Sequence, residues 1–291
     1  MDPRRPAFPA LLAGAAAIGL APILVRYAST PEHGGTIGPT AAAFWRLLLA
    51  LPFLAGGSAL ERRAPPSGRD RAVLLAAGLF FAADLGFWHY SILKTRIASA
   101  TILACLAPVL VTLGSWLLFR DRLTPHFLGG LAAALAGAAV LMGFDPRQLL
   151  GNSFGILAAV FYAGYLLAIA RLRARCSTAA VMAWSGLGAS AGLLAGALLL
   201  GEPIVPSDAR GWAVVAALAL ACQLGGQTLI AFALAHLPAA FAAVSLLVQP
   251  VVAAALGWWL FGEALGPWQF AGGVLVLAGI AVARRGALPR T

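Results

Sequence analysis

The feature that most limits the fold of this chain is a succession of apolar runs, each about twenty residues long and joined by short polar links. They lie at about 8–27, 38–56, 70–91, 97–119, 124–143, 152–170, 178–200, 210–232, 239–261 and 267–283. At a rise of about 1.5 Å per residue, a helix of this length crosses the hydrocarbon core of a bilayer. Composition excludes the alternative of a greasy soluble enzyme. The 291 residues are 61% hydrophobic and only 10% charged, where a soluble domain carries about 25% charged residues. The predicted fold is an all-α polytopic membrane protein with ten transmembrane helices. Arg4 and Arg5 resemble a basic leader, but the apolar run behind them extends to about residue 27 without a small-residue cleavage site, so it reads as a retained span.

The second half of the chain repeats part of the first. Residues 98–140 align without a gap on residues 240–282, at a constant offset of 142, with fifteen identities in 43 positions. Pro108 meets Pro250, Trp116 meets Trp258, Asp121 meets Glu263 and Gly137 meets Gly279. A fixed-period self-match of this kind marks a duplicated structural unit. The predicted units are residues 1–147 and 148–291, with five spans each.

The basic residues give the orientation. The net charge is +10, yet the excess is not uniform. With the N-terminus inside, cytoplasmic links hold fourteen basic residues, among them Arg62, Arg63, Arg69, Arg71, Arg120, Arg122, Arg171, Arg173 and Arg175. The opposite face holds five: Arg26, Lys94, Arg96, Arg147 and Arg210. This is the positive-inside pattern, with both termini cytoplasmic. A nucleic-acid-binding chain would spread its charge more evenly. Five spans per half invert the second unit relative to the first. Inverted units can exchange inward-open and outward-open shapes around a site at their interface.

Four stretches carry a family resemblance: FWRLLLALPFL at 44–54, FAADLGFWHYSILKTRIASATILACLAPVLVTLGSWLLFRDRL at 81–123, GGLAAALAGAAVLM at 129–142, and FAAVSLLVQPVVAAALGWWLFGEALGPWQFAGGVLVLAG at 241–279. With these the chain resembles the drug/metabolite transporter superfamily, in its EamA-like ten-helix branch. The resemblance implies passage of small organic solutes, often outward: amino acids, metabolites or drugs. The family pattern places a proline midway in helices four and nine and an acidic residue after a glycine at the following turn. Gly262 and Glu263 keep that pattern, whereas Arg120 and Asp121 replace it in the first half.

Polar residues inside the spans are the candidate site. Asp84 lies about eight residues from the outer end of helix three, roughly 12 Å below the surface. A carboxylate at that depth costs roughly 2.5–3.5 kcal/mol on insertion scales. Arg46 sits at similar depth on helix two and is its natural partner, either as a fixed tie between helices or as a contact for solute or proton. Trp88 and Ser91 share the Asp84 face by their spacing. Tyr90 suits the membrane interface, and His89 suits either a proton relay or a bond to a backbone carbonyl. In the second half, Tyr162 and Tyr165 lie three apart on helix six, Gln223 and Gln227 four apart on helix eight, and Ser245 and Gln249 four apart on helix nine. Pro108 and Pro250 are helix-break positions, and Pro250 frees the carbonyl of Leu246. Glycines 129, 130, 137, 272, 273 and 279 permit close helix contact, within one chain or between two copies.

The function these residues predict is secondary transport, outward by family tendency, across a bacterial-type cytoplasmic membrane. The chain has no phosphate-binding GxxxxGK[ST] motif, so the energy is expected from solute or ion gradients or from a partner protein, with uncoupled, facilitated passage as the alternative. The expected partners are a small organic solute, membrane lipid and, through Asp84, protons, in a monomer or homodimer. No nucleic acid, cofactor or metal is expected. Cys105, Cys176 and Cys222 and the histidines at 33, 126 and 236 have no metal-ligand spacing. A channel, scaffold or sensor is the alternative, with a membrane-embedded enzyme behind it, since Asp84, His89 and Ser91 do not space as a triad.

Overall fold

The computed structural model describes residues 4–30, 34–60, 65–94, 106–120, 123–142, 149–261 and 266–286, and every element in them is helical. In chain order these are α1 (Arg4–Ile18), α2 (Ala21–Ser29), α3 (Pro39–Leu48), α4 (Leu51–Leu60), α5 (Gly68–Lys94), α6 (Ala107–Phe119) and α7 (Pro125–Met142). The second half holds α8 (Leu149–Leu172), α9 (Thr178–Leu199), α10 (Ala209–Ala217), a π-helix (Leu218–Gln227), α11 (Thr228–Ala233), α12 (Ala239–Ser245), α13 (Val248–Phe261) and α14 (Pro267–Gly286). Among the described residues, eight helical stretches are long and apolar enough to cross a membrane, and α6 and α7 are shorter apolar helices. The chain is a multi-pass membrane protein. The start of the fourth run (97–105, Cys105 included), His33, Asp121 and the Gly262–Glu263 turn lie outside the described residues.

Three of the predicted spans are broken helices. The first breaks between Ile18 and Ala21, the second between Leu48 and Leu51, and the ninth between Ser245 and Val248. Each break precedes a proline, Pro22, Pro52 or Pro250, which then sits in the first turn of the next helix. Proline is tolerated there because its missing N–H would be unbonded in any case. Pro108 occupies the same place in α6. The eighth span departs most from expectation. Its middle ten residues form a π-helix, a form usually limited to single turns at functional sites. The Gly225–Gly226 pair lies within it, the backbones of Gly14 and Gly226 approach closely, and the Thr228 hydroxyl donates to the Gln223 carbonyl at 3.3 Å.

The two halves interleave. α5 of the first half packs against α8 and α9 of the second, and α7 packs along α14. The α7–α14 contact is backbone to backbone. A Cβ on Gly130 would meet Gly279 and Ala283, and one on Gly137 would meet Gly272 and Val276. The reciprocal contacts exist at the offset of 142: Gly272 meets Gly137 and Leu141, and Gly279 meets Gly130 and Ala134. Such reciprocity is the signature of a two-fold contact. Lipid gives apolar helices no hydrophobic reason to pair, so close approach through small residues holds them. The glycine stripe is thus used within the chain. Gly129 faces open space and takes no part.

Large apolar side chains cover the outside. Trp259 is 73% exposed and Trp268 78%, a distribution that only an apolar solvent rewards. Trp116 and Trp258, equivalent at the offset, are both exposed. Arg173, counted above among the cytoplasmic loop charges, is instead buried: its Nε donates to the Ala231 carbonyl at 3.0 Å and its Nη1 to that of Cys176.

The turn after α6 explains why the family places glycine there. Arg120 caps α6 in the left-handed region, at φ 55°, where a Cβ is strained and glycine is not. Arg120→Gly is expected to stabilise the protein by about 0.5–1 kcal/mol, read as a rise in the midpoint of thermal unfolding in detergent.

Candidate functional site

A cavity of about 80 Å³ opens between the halves, and both contribute to its wall. α5 presents Phe81, Asp84, Leu85 and Trp88, a spacing of three, four and seven that lays one helical face along the cavity. α3 adds Arg46, and α8 adds Tyr162 and Leu166. The first turn of α6 supplies Ala107 and Pro108, the break before α13 supplies Leu246, Leu247, Gln249 and Pro250, and the π-helix supplies Gln227. Three pairs of these positions are equivalent at the offset of 142: Ala107 with Gln249, Pro108 with Pro250, and Leu85 with Gln227. The wall is apolar in the first-half member of two pairs and polar in the second, while the two charges come from the first half.

Arg46 is the electrostatic centre. The residue is 1% exposed, its guanidinium carbon lies 6.0 Å over the Phe81 ring centroid, and its Nε has no hydrogen-bond partner. Its charge acts on Asp84, His89, Tyr162, Tyr165 and Cys222. Asp84 is 8% exposed on the same wall. Among the described residues the two form no direct ion pair. They face one cavity rather than closing on each other. Phe81 is held by stacking on Tyr165 at 4.5 Å, and Tyr165 in turn lies 6.2 Å from Tyr162. The Gln227 amide lies beside both phenols.

The predicted site residues divide by position. Arg46, Asp84, Trp88, Tyr162, Gln227, Gln249, Pro108 and Pro250 line the cavity. Ser91, Tyr165, Gln223 and Ser245 are buried outside its lining. The Tyr165 hydroxyl donates to the Met182 sulfur at 3.8 Å, and the Ser245 hydroxyl donates to the Phe241 carbonyl at 2.9 Å. Gln223 lies in the same π-helix as Gln227, but its amide is buried and neither of its side-chain polar atoms has a hydrogen-bond partner. The Leu246 carbonyl, which Pro250 cannot bond, accepts from the Gln249 N–H at 2.9 Å. His89 bonds a backbone carbonyl: its Nδ1 donates to Pro39 at 2.7 Å. Among the described residues, no group of acidic, histidine or cysteine side chains could hold a metal. A second cavity of about 700 Å³ between α4 and α9 has no ionisable group in its lining among the described residues.

Sequence reading passes over two residues. Phe81 lies one turn before Asp84 and seats Arg46. Glu202, in the link after α9, is the other. Its Oε2 accepts from the Ala41 N–H at 3.0 Å, at the start of α3, and its Oε1 accepts from the Tyr90 hydroxyl at 2.7 Å. Around it the Trp45 Nε1 donates to the Ile204 carbonyl at 2.7 Å and the Gly38 N–H to that of Pro203 at 3.0 Å. These bonds tie a second-half link to the two helices that carry Arg46 and Asp84. At the other end of the bundle Arg175 faces Asp70 at 3.9 Å, with the arginine side chain 64% exposed, an arrangement worth little.

Known proteins match this chain along nearly its whole length. The EamA-like transporter family matches residues 6–143 and again 149–285. The pseudopaline exporter CntI of Pseudomonas aeruginosa is 32% identical over 266 residues, covering 90% of each chain. A probable terminal-alkyne amino-acid exporter of Streptantibioticus cattleyicolor is 28% identical over 253 residues, covering 83% of this chain and 82% of its own. A crystal structure at 20% identity superposes with a TM-score of 0.77, over 96% of this chain and 98% of that one, and shares the fold. The chain belongs to the EamA-like transporter family: it is a membrane transporter and not an enzyme.

Proposed function

We propose that the protein exports small organic solutes across a bacterial-type cytoplasmic membrane by alternating access. The observation that carries this reading is the cavity wall, where Pro108 and Pro250, and Ala107 and Gln249, stand at equivalent positions of the two halves. The duplicated units are two inverted five-span repeats, 1–147 and 148–291, making ten spans in all. Reciprocal contacts of α7 and α14 support that symmetry. The Arg175 end faces the cytoplasm, in keeping with the fourteen-to-five arginine and lysine bias. The names of the exporter relatives support the direction.

In this reading the Glu202 end is the closed, external gate. Two bonds to one carboxylate and two flanking bonds outweigh an exposed ion pair at the other end. The test is a cysteine at Ala107, on the cavity wall, in a chain without its native cysteines. A membrane-impermeant maleimide should label it from either side of the membrane, because each state exposes it in turn. Glu202→Ala removes charge-assisted bonds worth about 1.5–3 kcal/mol and should speed labelling from the Glu202 side at least tenfold. Labelling confined to one side in both proteins contradicts alternating access.

A further inference from the structure

We propose that the cavity between α4 and α9 binds one anionic phospholipid, with an acyl chain in the cavity and the phosphate at Arg71. Lipid is here a bound ligand at a defined place, not only the surrounding solvent. The site is separate from the central cavity and does not depend on how solute crosses. Its lining side chains are apolar apart from two hydroxyls, Ser58 and Ser177. On α4 the wall runs from Leu48, at the break after α3, to Ala59, a rise of about 16 Å. On α9 it runs from Ser177 to Leu187, about 15 Å. Half of a bilayer's hydrocarbon core is about 15 Å thick, so the cavity is one leaflet deep. It also opens sideways, because Pro52, Ala55, Ala59 and Leu187 are exposed. An empty recess of about 700 Å³ would forfeit dispersion contacts along its whole wall, and an acyl chain entering from the side restores them.

The charge of the head group follows from the rim. Trp184, on the wall, carries the Arg71 guanidinium over its ring, 5.2 Å from the centroid. The Arg71 Nε donates to the Pro66 carbonyl at 2.9 Å, next to Pro65 on the cavity wall. These contacts hold the side chain at the mouth, and among the described residues Arg71 forms no ion pair. The neighbouring carboxylate, Asp70, accepts from the Ser67 hydroxyl at 2.7 Å and faces Arg175 at 3.9 Å. Arg69 and Arg175 are exposed at the same end. Three arginines therefore stand against one aspartate there. Tryptophan and arginine both suit the boundary between tails and head groups, and a basic recess between membrane helices favours anionic lipid. A guanidinium bonds phosphate oxygens through its planar fork. A zwitterionic lipid brings the same chains and phosphate, but its own cation is repelled by the arginines. A soluble phosphate ester has no chain to fill the recess.

The test uses the full chain, purified in detergent and stripped of lipid. Binding is read by native mass spectrometry and by the thermal midpoint. The probes are phosphatidylglycerol, phosphatidylcholine with the same acyl chains, and glycerol phosphate. The expected result is one phosphatidylglycerol bound at least about fivefold more tightly than phosphatidylcholine, with a raised midpoint. Glycerol phosphate should not bind. Arg71→Gln should bring phosphatidylglycerol down to the level of phosphatidylcholine, and Arg71→Lys should keep most of the preference. Arg285→Gln, at the exposed end of α14, should change neither. Ala55→Trp, which fills the recess from α4, should remove both lipids. The ratio of the two lipids within one variant is independent of how much protein has folded. Equal affinity for the two lipids in the wild type overturns the proposal. So does a preference that survives Arg71→Gln or falls as far with Arg285→Gln. Lipid binding unchanged by Ala55→Trp, or glycerol phosphate binding as tightly as the lipid, overturns it too. A dimer that lipid does not displace and Ala55→Trp separates would give the groove to a second copy, and the lipid site would fail. Each of these failures leaves the transporter reading standing.

Discussion

Arg46→Ala is expected to lower solute flux by about a hundredfold while leaving the protein folded, with a thermal midpoint equal to or above that of the wild type. The two halves of that result have one cause. Arg46 is almost wholly buried, rests on the Phe81 ring, and has a nitrogen without a partner. A charge held so is a cost to stability, and replacing buried charges with apolar groups is often neutral or stabilising. A solute that bonds the guanidinium gains about 1.5–3 kcal/mol per charge-assisted bond, and two such bonds exceed the hundredfold loss. A structural tie would behave otherwise, because its removal strands the partner. If Arg46→Ala unfolded in detergent, Arg46 would be a brace of the bundle and not part of the solute path.

Gly137→Leu should cost at least about 3 kcal/mol of stability, enough to prevent recovery of folded protein from detergent. Overpacking a filled core costs about 1–3 kcal/mol when side chains can move aside. Here the obstacles are backbone atoms: a Cβ at Gly137 would meet the Gly272 carbonyl and the Val276 nitrogen. Neither can move without parting α7 from α14. Gly279→Leu, the equivalent position, should fail in the same way against Gly130 and Ala134. Gly129→Leu is the internal control. Its Cβ enters open space, so it should be neutral or slightly stabilising through helix propensity. Size-exclusion profiles and thermal midpoints of the three variants decide the matter. Equal tolerance at positions 129 and 137 would disprove the backbone contact.

How much of this was legible without a structure depends on the range of the interaction. Span length and apolar content are local, so among the described residues the apolar runs fall on helices, though the breaks in three of them are not marked by length or composition. The glycine stripe is legible as a permission for close packing, but its partner is not. The sequence leaves it open whether Gly137 meets Gly272 or a second copy of the chain. Asp84 and Arg46 stand out because charge at membrane depth is rare. That they share a cavity without touching depends on side-chain directions set by Phe81 and Tyr165, which no spacing states. Spacing puts Gln223 and Gln227 on one face, but only Gln227 is in the cavity lining, a difference that depends on which neighbours pack over each amide. Glu202 sits in a link that reads as ordinary outer loop. Its importance comes from meeting Ala41, 161 residues away, and Tyr90, 112 away.

The central claim, that solute crosses through one cavity served by two exchanging states, is tested most directly by counterflow. Proteoliposomes are loaded with unlabelled solute at high concentration and diluted into labelled solute. An alternating-access carrier brings the label inward against its own gradient, giving a transient overshoot that Ala107→Trp, which fills the cavity wall, removes. Label that only equilibrates, without overshoot and with a rate linear in concentration, would show an open channel and contradict the account.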